Sequence, residues 1–285
     1  MRAFKTLLLL TALTMLLVLG GEALAGRQGM TFGLVIAVVM NGGAYFFSDK
    51  IALASSGAKP VTREQAPRLY AVMERLAAKG QLPMPKLYVI PQAAPNAFAT
   101  GRNPSHASVA ATEGLLELMN DDELEGVIAH ELSHVRNYDI LTTSIAATVA
   151  GAITWIAHIA QWGMIFGGYG GSRDDRRGGG IGALLMIFLA PVAAMLMQLG
   201  ISRQREYAAD AAGARLVGHP YGLISALEKL GAYNQRIPMT NVSQTTASLY
   251  IVTPLTGRQV FSGLFSTHPP LGDRIAALRQ MTVLR

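Results

Sequence analysis

"VIAHELSHVRNYDI", residues 127–140, decides how the rest of the chain is read. It has the composition of one unbroken helix, with no Gly or Pro inside, and it runs on into the apolar stretch "LTTSIAATVAGAITWIAHIAQW". His130, Glu131 and His134 form H-E-x-x-H in its first half. At 3.6 residues per turn, positions i and i+4 share a helix face, so both imidazoles reach a single cation. Glu131 then lies beside the first ligand, facing the coordination position left open. The competing reading is two surface histidines with an incidental glutamate. The preceding "NDDELEG" favours the functional one, because Asp121 suits an N-cap and Asp122 and Glu123 sit where the helix dipole accepts negative charge.

A zinc-type site needs a third protein ligand. No cysteine is present, so thiolates are excluded and only His and carboxylate remain. No H-x-x-G-x-x-H extension follows; the chain reads "RNYD". On a continuous helix Asp139, five residues past His134, turns away from the ligand face. His158 lies deep in apolar sequence and suits a packed polar group. "SRQREYAADAAGARL" offers Glu206 and Asp210, again at i and i+4, on a helix that begins where a later apolar segment ends. If the two apolar segments between form an antiparallel pair, Glu206 returns beside His134 as third ligand. Asp210 then accepts a ring N–H from one ligand histidine and fixes its tautomer. A solvated helix charge among Arg203, Arg205 and Arg215 is the other reading of Glu206.

Those apolar segments shape the rest of the 285-residue chain. Half its residues are hydrophobic (51%), only 15% are charged, and the mean hydropathy is +0.31, which points to a bilayer. The +6 charge comes with no aromatic-interleaved basic stripe, so attraction to anionic lipid fits better than nucleic acid. Residues 6–21, 28–48 and 178–202 carry no charge, and residues 140–172 hold only His158 and both tryptophans, Trp155 and Trp162. A spanning helix needs about 20 apolar residues, so the first segment is short and the others suffice. "MRAF" followed by "ALA" at 23–25 also fits a cleaved leader and a secreted soluble enzyme. The immediate second apolar run favours a retained hairpin. Basic residues before the first segment, after the second (Lys50, Lys59, Arg63) and after the fourth (Arg203, Arg205) place both termini in the cytoplasm. The glycine-rich loop at 167–180, with Arg173, Arg176 and Arg177, runs against that pattern.

The polar stretches have ordinary globular composition. Residues 62–80 read as a helix opened by the capping-box spacing "TREQ", residues 86–90 and 105–112 as strands, and residues 221–233 as an amphipathic helix. The expected organisation is an N-terminal hairpin (1–48), a first part of a catalytic domain (49–139), a second hairpin (140–202) and a second part carrying the third ligand (203–285).

H-E-x-x-H, an apolar hairpin and then E-x-x-x-D in "REYAAD" resemble, over nearly the whole chain, the HtpX-type inner-membrane zinc metalloproteases of bacteria, relatives of the type I CAAX prenyl protease. The resemblance implies an α+β, mostly helical zincin-like (gluzincin-type) domain with a small sheet and two transmembrane helical hairpins. It implies one zinc, protein substrates drawn from damaged membrane proteins, and a protease domain facing the cytoplasm at the bacterial inner membrane. "PNAFATG" (95–101) matches the family too, implying that Asn96 and Ala97 lie on an edge segment that binds an extended substrate; Asn96 reads equally as a turn residue. "FSTHPPLGDRI" (265–275) resembles the family's C-terminal His-Pro motif, implying that His268 or Arg274 approaches the reacting carbonyl or its anion. His268 before two prolines also suits a structural turn. Two further functions stay open: a prenyl-protein-type endoprotease, which normally has more spans, and a non-catalytic membrane metal-binding scaffold, which would tolerate loss of Glu131.

Overall fold

The computed structural model describes residues 2–150, 153, 203–234, 251 and 269–283. Most of the second apolar pair, the glycine-rich loop, His158, both tryptophans and His268 lie outside the described residues.

Helix α1 (Arg2–Ser55) is interrupted at Ala25 and Gly26. Gly26 has φ 58° and ψ −144°, a conformation open only to a residue without Cβ, and the chain reverses there. The two arms lie side by side. Asn41 Nδ2 on the second donates to Thr14 Oγ1 (2.8 Å) and to the Leu10 carbonyl (3.3 Å) on the first. A Cβ on Gly33 would stand 2.2 Å from the Leu17 carbonyl oxygen, so the small residue sets the spacing of the arms. The second arm, Ala25–Ser55, is long and apolar enough to cross a membrane, while the first, Thr6–Glu22, is shorter. Phe32, Val38 and Val39 on the second arm are exposed.

Four short strands make one sheet in the order β1-β2-β4-β3: β1 (Lys59–Pro60), β2 (Lys86–Ile90), β3 (Ala97–Gly101) and β4 (Ala107–Thr112). The pair β2–β4 is parallel and the others antiparallel, which leaves β3 at an edge. The Thr112 N–H donates to the Asn96 carbonyl at 2.9 Å, so even-numbered residues of β3 face β4 and the backbone groups of Ala97, Ala99 and Gly101 face outward. Side chains alternate likewise. Leu87, Ala97, Ala99, Val109 and Ala111 join the main core, whereas Ile90, Phe98 and Ala110 pack on Ala52 and Leu53 of α1 and on Ala147. The sheet is thus held between the main core and the roots of the apolar helices.

The main core is built from α2 (Pro67–Gly80), α4 (Asp121–Arg136), α6 (Arg203–Val217), α7 (Tyr221–Asn234) and α8 (Leu271–Val283), with α3 (Glu113–Leu118) leading into α4. Elements on both sides of the second apolar pair contribute to it. Helix α5 (Asp139–Ala150) leaves the core and packs Ile145 and Val149 against Leu9, Leu13 and Ala44 of α1.

Three local expectations are corrected. Residues 127–140 are not one helix: α4 ends at Arg136, Asn137 caps it, and Tyr138 adopts φ 58° before α5 starts. The N-cap of α4 is Asn120, one residue earlier than expected. Its side chain accepts from the Glu123 N–H and its own N–H donates to the Glu123 carboxylate, both at 2.9 Å, which is a capping box. Helix α2 starts at Pro67, because the residue before a proline is driven out of the α region and Ala66 takes φ −137°. The Thr62–Gln65 bond exists (2.9 Å) but closes a turn.

Candidate metal centre

His130 and His134 project from one face of α4, as their spacing requires, and meet Glu206 from the first turn of α6. The two helices can lie this close because residue 213 is glycine; a Cβ there would sit 3.0 Å from the His130 nitrogen. His130 Nε2 is 3.2 Å from His134 Nε2 and 3.7 Å from Glu206 Oε2, and His134 Nε2 is 3.5 Å from Glu206 Oε1. A tetrahedral ion with bonds of about 2.0–2.1 Å separates its ligands by about 3.3–3.4 Å. The donor set has the same requirement. Both Nδ1 atoms face carboxylates, so both Nε2 atoms and the Glu206 carboxylate converge on one point, an arrangement that suits a cation. The residues fit a metal ion.

Behind His130 stands Asp210, with Oδ1 2.8 Å from Nδ1. Asp210 is held in turn by Arg274, whose Nε and Nη2 donate to its two oxygens at 2.8 and 2.7 Å. Arg274 Nη1 donates to the Ile251 carbonyl at 2.9 Å, and the side chain has no exposed surface. The guanidinium, expected as a substrate contact, is thus engaged by Asp210 behind the histidine, and its Nη1 lies 4.0 Å from Glu206 Oε2. Burial pushes the Asp210 carboxyl upward, but the Arg274 hydrogen bonds and charge outweigh it and hold the group below its ordinary value.

Behind His134 stands Asp139, with Oδ2 3.4 Å from Nδ1 and Oδ1 3.3 Å from Arg205 Nη1. A continuous helix would turn Asp139 away from the ligand face; the break at Asn137 and Tyr138 turns it back. The available signal was Asn137 itself, a residue that often ends helices, following Arg136 in the last turn.

Glu131 is buried and receives the Ala99 N–H, which ties it to the outward edge of β3. Burial lifts its carboxyl to about 8, with the charge of Glu206 adding to the rise and His134 and the Ala99 N–H opposing it. Burial alone would lower His134, yet its hydrogen bond to Asp139 and the charges of Glu206 and Glu131 raise it to about 9. His130 is lowered, chiefly by burial. On the edge strand, the Ala97 N–H bonds the Asn96 side chain (3.1 Å) and its carbonyl accepts the Ile251 N–H (3.0 Å). The end of the edge at Ala97 is thus covered by the C-terminal part of the chain.

The sequence model of peptidase family M48 matches residues 63–282. A protease HtpX homolog of Desulfatibacillum aliphaticivorans is 56% identical over 274 residues, covering 96% of this chain and 88% of that protein. One from Syntrophotalea carbinolica is 54% identical over 284 residues, covering 100% of each. Among solved structures, the crystal structure of S. mikatae Ste24p shares the fold with a TM-score of 0.53 at 21% identity, over 97% of this chain and 65% of that one.

Proposed function

The chain belongs to peptidase family M48, and we propose from that premise that His130, His134 and Glu206 hold one zinc and Glu131 is the general base. It is a membrane-bound metallopeptidase that hydrolyses peptide bonds. The observation that carries the site assignment is the convergence of two imidazole Nε2 atoms and one carboxylate, with Glu131 buried beside them. Two nitrogens and one oxygen make zinc the favoured ion.

A zinc held by His130, His134 and Glu206 would supply a Lewis acid that polarises the substrate carbonyl and makes a water nucleophilic near neutral pH. Glu131 takes a proton from the attacking water and delivers it to the leaving amine. Asp210 keeps the His130 ring proton on Nδ1, so that Nε2 is free to ligate, and Arg274 holds Asp210 in that orientation. An extended substrate lies along the outward edge of β3; Asn96 and Ala97, expected as its contacts, bond Thr112 and Ile251 and close one end of that edge. His268, two prolines ahead of α8, is proposed as the donor to the developing anion.

We place the enzyme in the bacterial inner membrane through two hairpins, at residues 1–48 and 140–202, with the parts at 49–139 and 203–285 forming one cytoplasmic catalytic domain. The distribution of basic residues supports this orientation. Because the site sits where α5 leaves the core, cleavage takes place at the membrane surface, and the likeness to the HtpX proteases suggests damaged membrane proteins as the substrates.

Glu131→Gln tests the reading. Purified from detergent, it is expected to bind one equivalent of metal and to lose about 10²–10⁴-fold of casein cleavage. A variant that cleaved at the wild-type rate would remove Glu131 from the mechanism. Glu206→Ala, expected to lose metal, checks the third ligand.

A further inference from the structure

We propose that Asp139 is a positioning residue for peptide hydrolysis: it fixes the ring of His134 and, through Arg205, ties that ligand to α6 at the root of the apolar insertion. The proposal rests on the reading of His134 as a metal ligand.

Three observations carry it. The first is the division of the carboxylate: Oδ2 lies 3.4 Å from His134 Nδ1, and Oδ1 lies 3.3 Å from Arg205 Nη1. Asp139 is buried, and among the described residues its carboxylate meets those two groups. The second is the break in the chain. Tyr138 takes a left-handed conformation that bulky residues seldom adopt. Its own side chain is 48% exposed, so the conformation does not serve to bury the ring. What the break does accomplish is to swing Asp139 back under His134, which a continuous helix would prevent. The third is location. Asp139 is the first residue of α5 and Arg205 lies in the first turn of α6, so their ion pair joins the chain where it leaves the core to the chain where it returns. Thr143 Oγ1 donates to the Asp139 carbonyl at 3.0 Å and anchors the start of α5 from the other side.

The chemical consequence concerns which nitrogen carries the ring proton. A carboxylate at Nδ1 keeps that proton there and turns the Nε2 lone pair toward His130 Nε2 and Glu206. Partners of this kind typically contribute about 10–100-fold to metal affinity. Arg205 holds the carboxylate in place. The arrangement also makes the geometry of the site depend on the two apolar segments staying together at their roots.

The test uses full-length protein in detergent, with zinc affinity read by chelator competition and the ligand field read from the visible spectrum of the cobalt(II)-substituted protein. Asp139→Ala is expected to bind zinc about 10–100-fold more weakly, to shift the cobalt bands, and at saturating zinc to lower kcat with KM unchanged. Asp139→Asn keeps the volume and an acceptor oxygen and is expected to recover part of the affinity. Thr143→Val, which removes only the hydroxyl bond to the Asp139 carbonyl, is expected to match wild type in affinity and spectrum. Wild-type affinity and spectrum in Asp139→Ala would overturn the proposal, and so would a loss as large in Thr143→Val. If Asp139→Ala does not assemble, Asp139→Asn decides: an unchanged spectrum and affinity there also overturn it. Failure of the metal site itself is separate, because it would show as full metal retention in Glu206→Ala.

Discussion

The two histidines of the candidate metal centre are each backed by an aspartate and then an arginine, yet the two sides are built differently. On the inner side, His130, Asp210 and Arg274 are joined by contacts of 2.7–2.8 Å, and none of the three is more than marginally exposed. On the outer side, His134, Asp139 and Arg205 are joined at 3.4 and 3.3 Å, and the histidine and arginine side chains are 15% and 20% exposed. The inner chain draws on α4, α6 and α8, which are distant in sequence. Two of the three outer residues come from a single helix break. A buried carboxylate with one bidentate guanidinium is a structural commitment, since removing either partner strands a charge in the interior. A longer, partly hydrated contact adjusts orientation at little cost to folding. The inner side therefore serves assembly and the outer side serves tuning.

The largest test of that contrast is Arg274→Met against Arg205→Met. Arg274→Met removes both bonds to Asp210 and leaves the Ile251 carbonyl without its donor. It is expected to destabilise the protein by about 3–5 kcal/mol, seen as a lowered denaturant midpoint in detergent and a loss of metal. Arg205→Met, losing a partly exposed pair, is expected to cost about 0–1 kcal/mol. Equal losses in the two variants would erase the distinction between the sides.

The same contrast explains how much of the site was legible in the sequence. Spacing on a helix is local information, and it placed His130, Glu131 and His134 together on α4 and paired Glu206 with Asp210 on α6. The return of α6 to α4 was also readable, because two successive apolar segments suit an antiparallel pair that reverses the chain. Asp139 was misread because a helix pattern without Gly or Pro looks continuous. The left-handed Tyr138 is stabilised by what Asp139 reaches, which is tertiary information. Arg274 was brought in by family resemblance, but no pattern near it shows that Asp210 is its partner 64 residues away. The edge strand β3 was likewise implied by "PNAFATG" rather than by alternation, since every residue in Ala97–Gly101 is buried. That leaves no polar face for a period of two to mark.

The second test acts on the crossing of α4 and α6, on which the inner side depends. In Gly213→Ala the new methyl would lie 3.0–3.2 Å from His130 N, Ala129 C and His130 Cα, all backbone atoms of the ligand helix. Backbone cannot rotate aside as a side chain does, so the helices must separate and carry Glu206 and Asp210 away from the histidines. Overpacking of this kind costs about 1–3 kcal/mol, and the shift is expected to weaken metal binding as well as stability. Measured together by denaturant unfolding and chelator competition, an unchanged metal affinity would mean that the crossing does not set the position of Glu206.

The last contrast concerns protons and has the smallest energy. His130 is pushed down, chiefly by burial, and is neutral near pH 7. Burial acts on His134 in the same direction, but Asp139, Glu206 and Glu131 overcome it and raise the group to about 9. A metal ligand must give up its proton, so below pH 9 a cation has to displace one from His134 and none from His130. Because the metal-free protein holds a proton that the metal-bound protein cannot, acid favours the metal-free form and rising pH favours binding. Glu131, lifted to about 8, adds to the trend when the positive charge expels its proton. Apparent zinc affinity is therefore expected to climb at least about tenfold per unit between pH 6 and pH 8 and to level off above pH 9. In Asp139→Asn, without the carboxylate that raises His134, the climb should be shallower and should level off at lower pH. A profile flat from pH 6 to pH 8 in the wild type would mean that both rings are already neutral, and the two sides of the centre would then differ in packing alone.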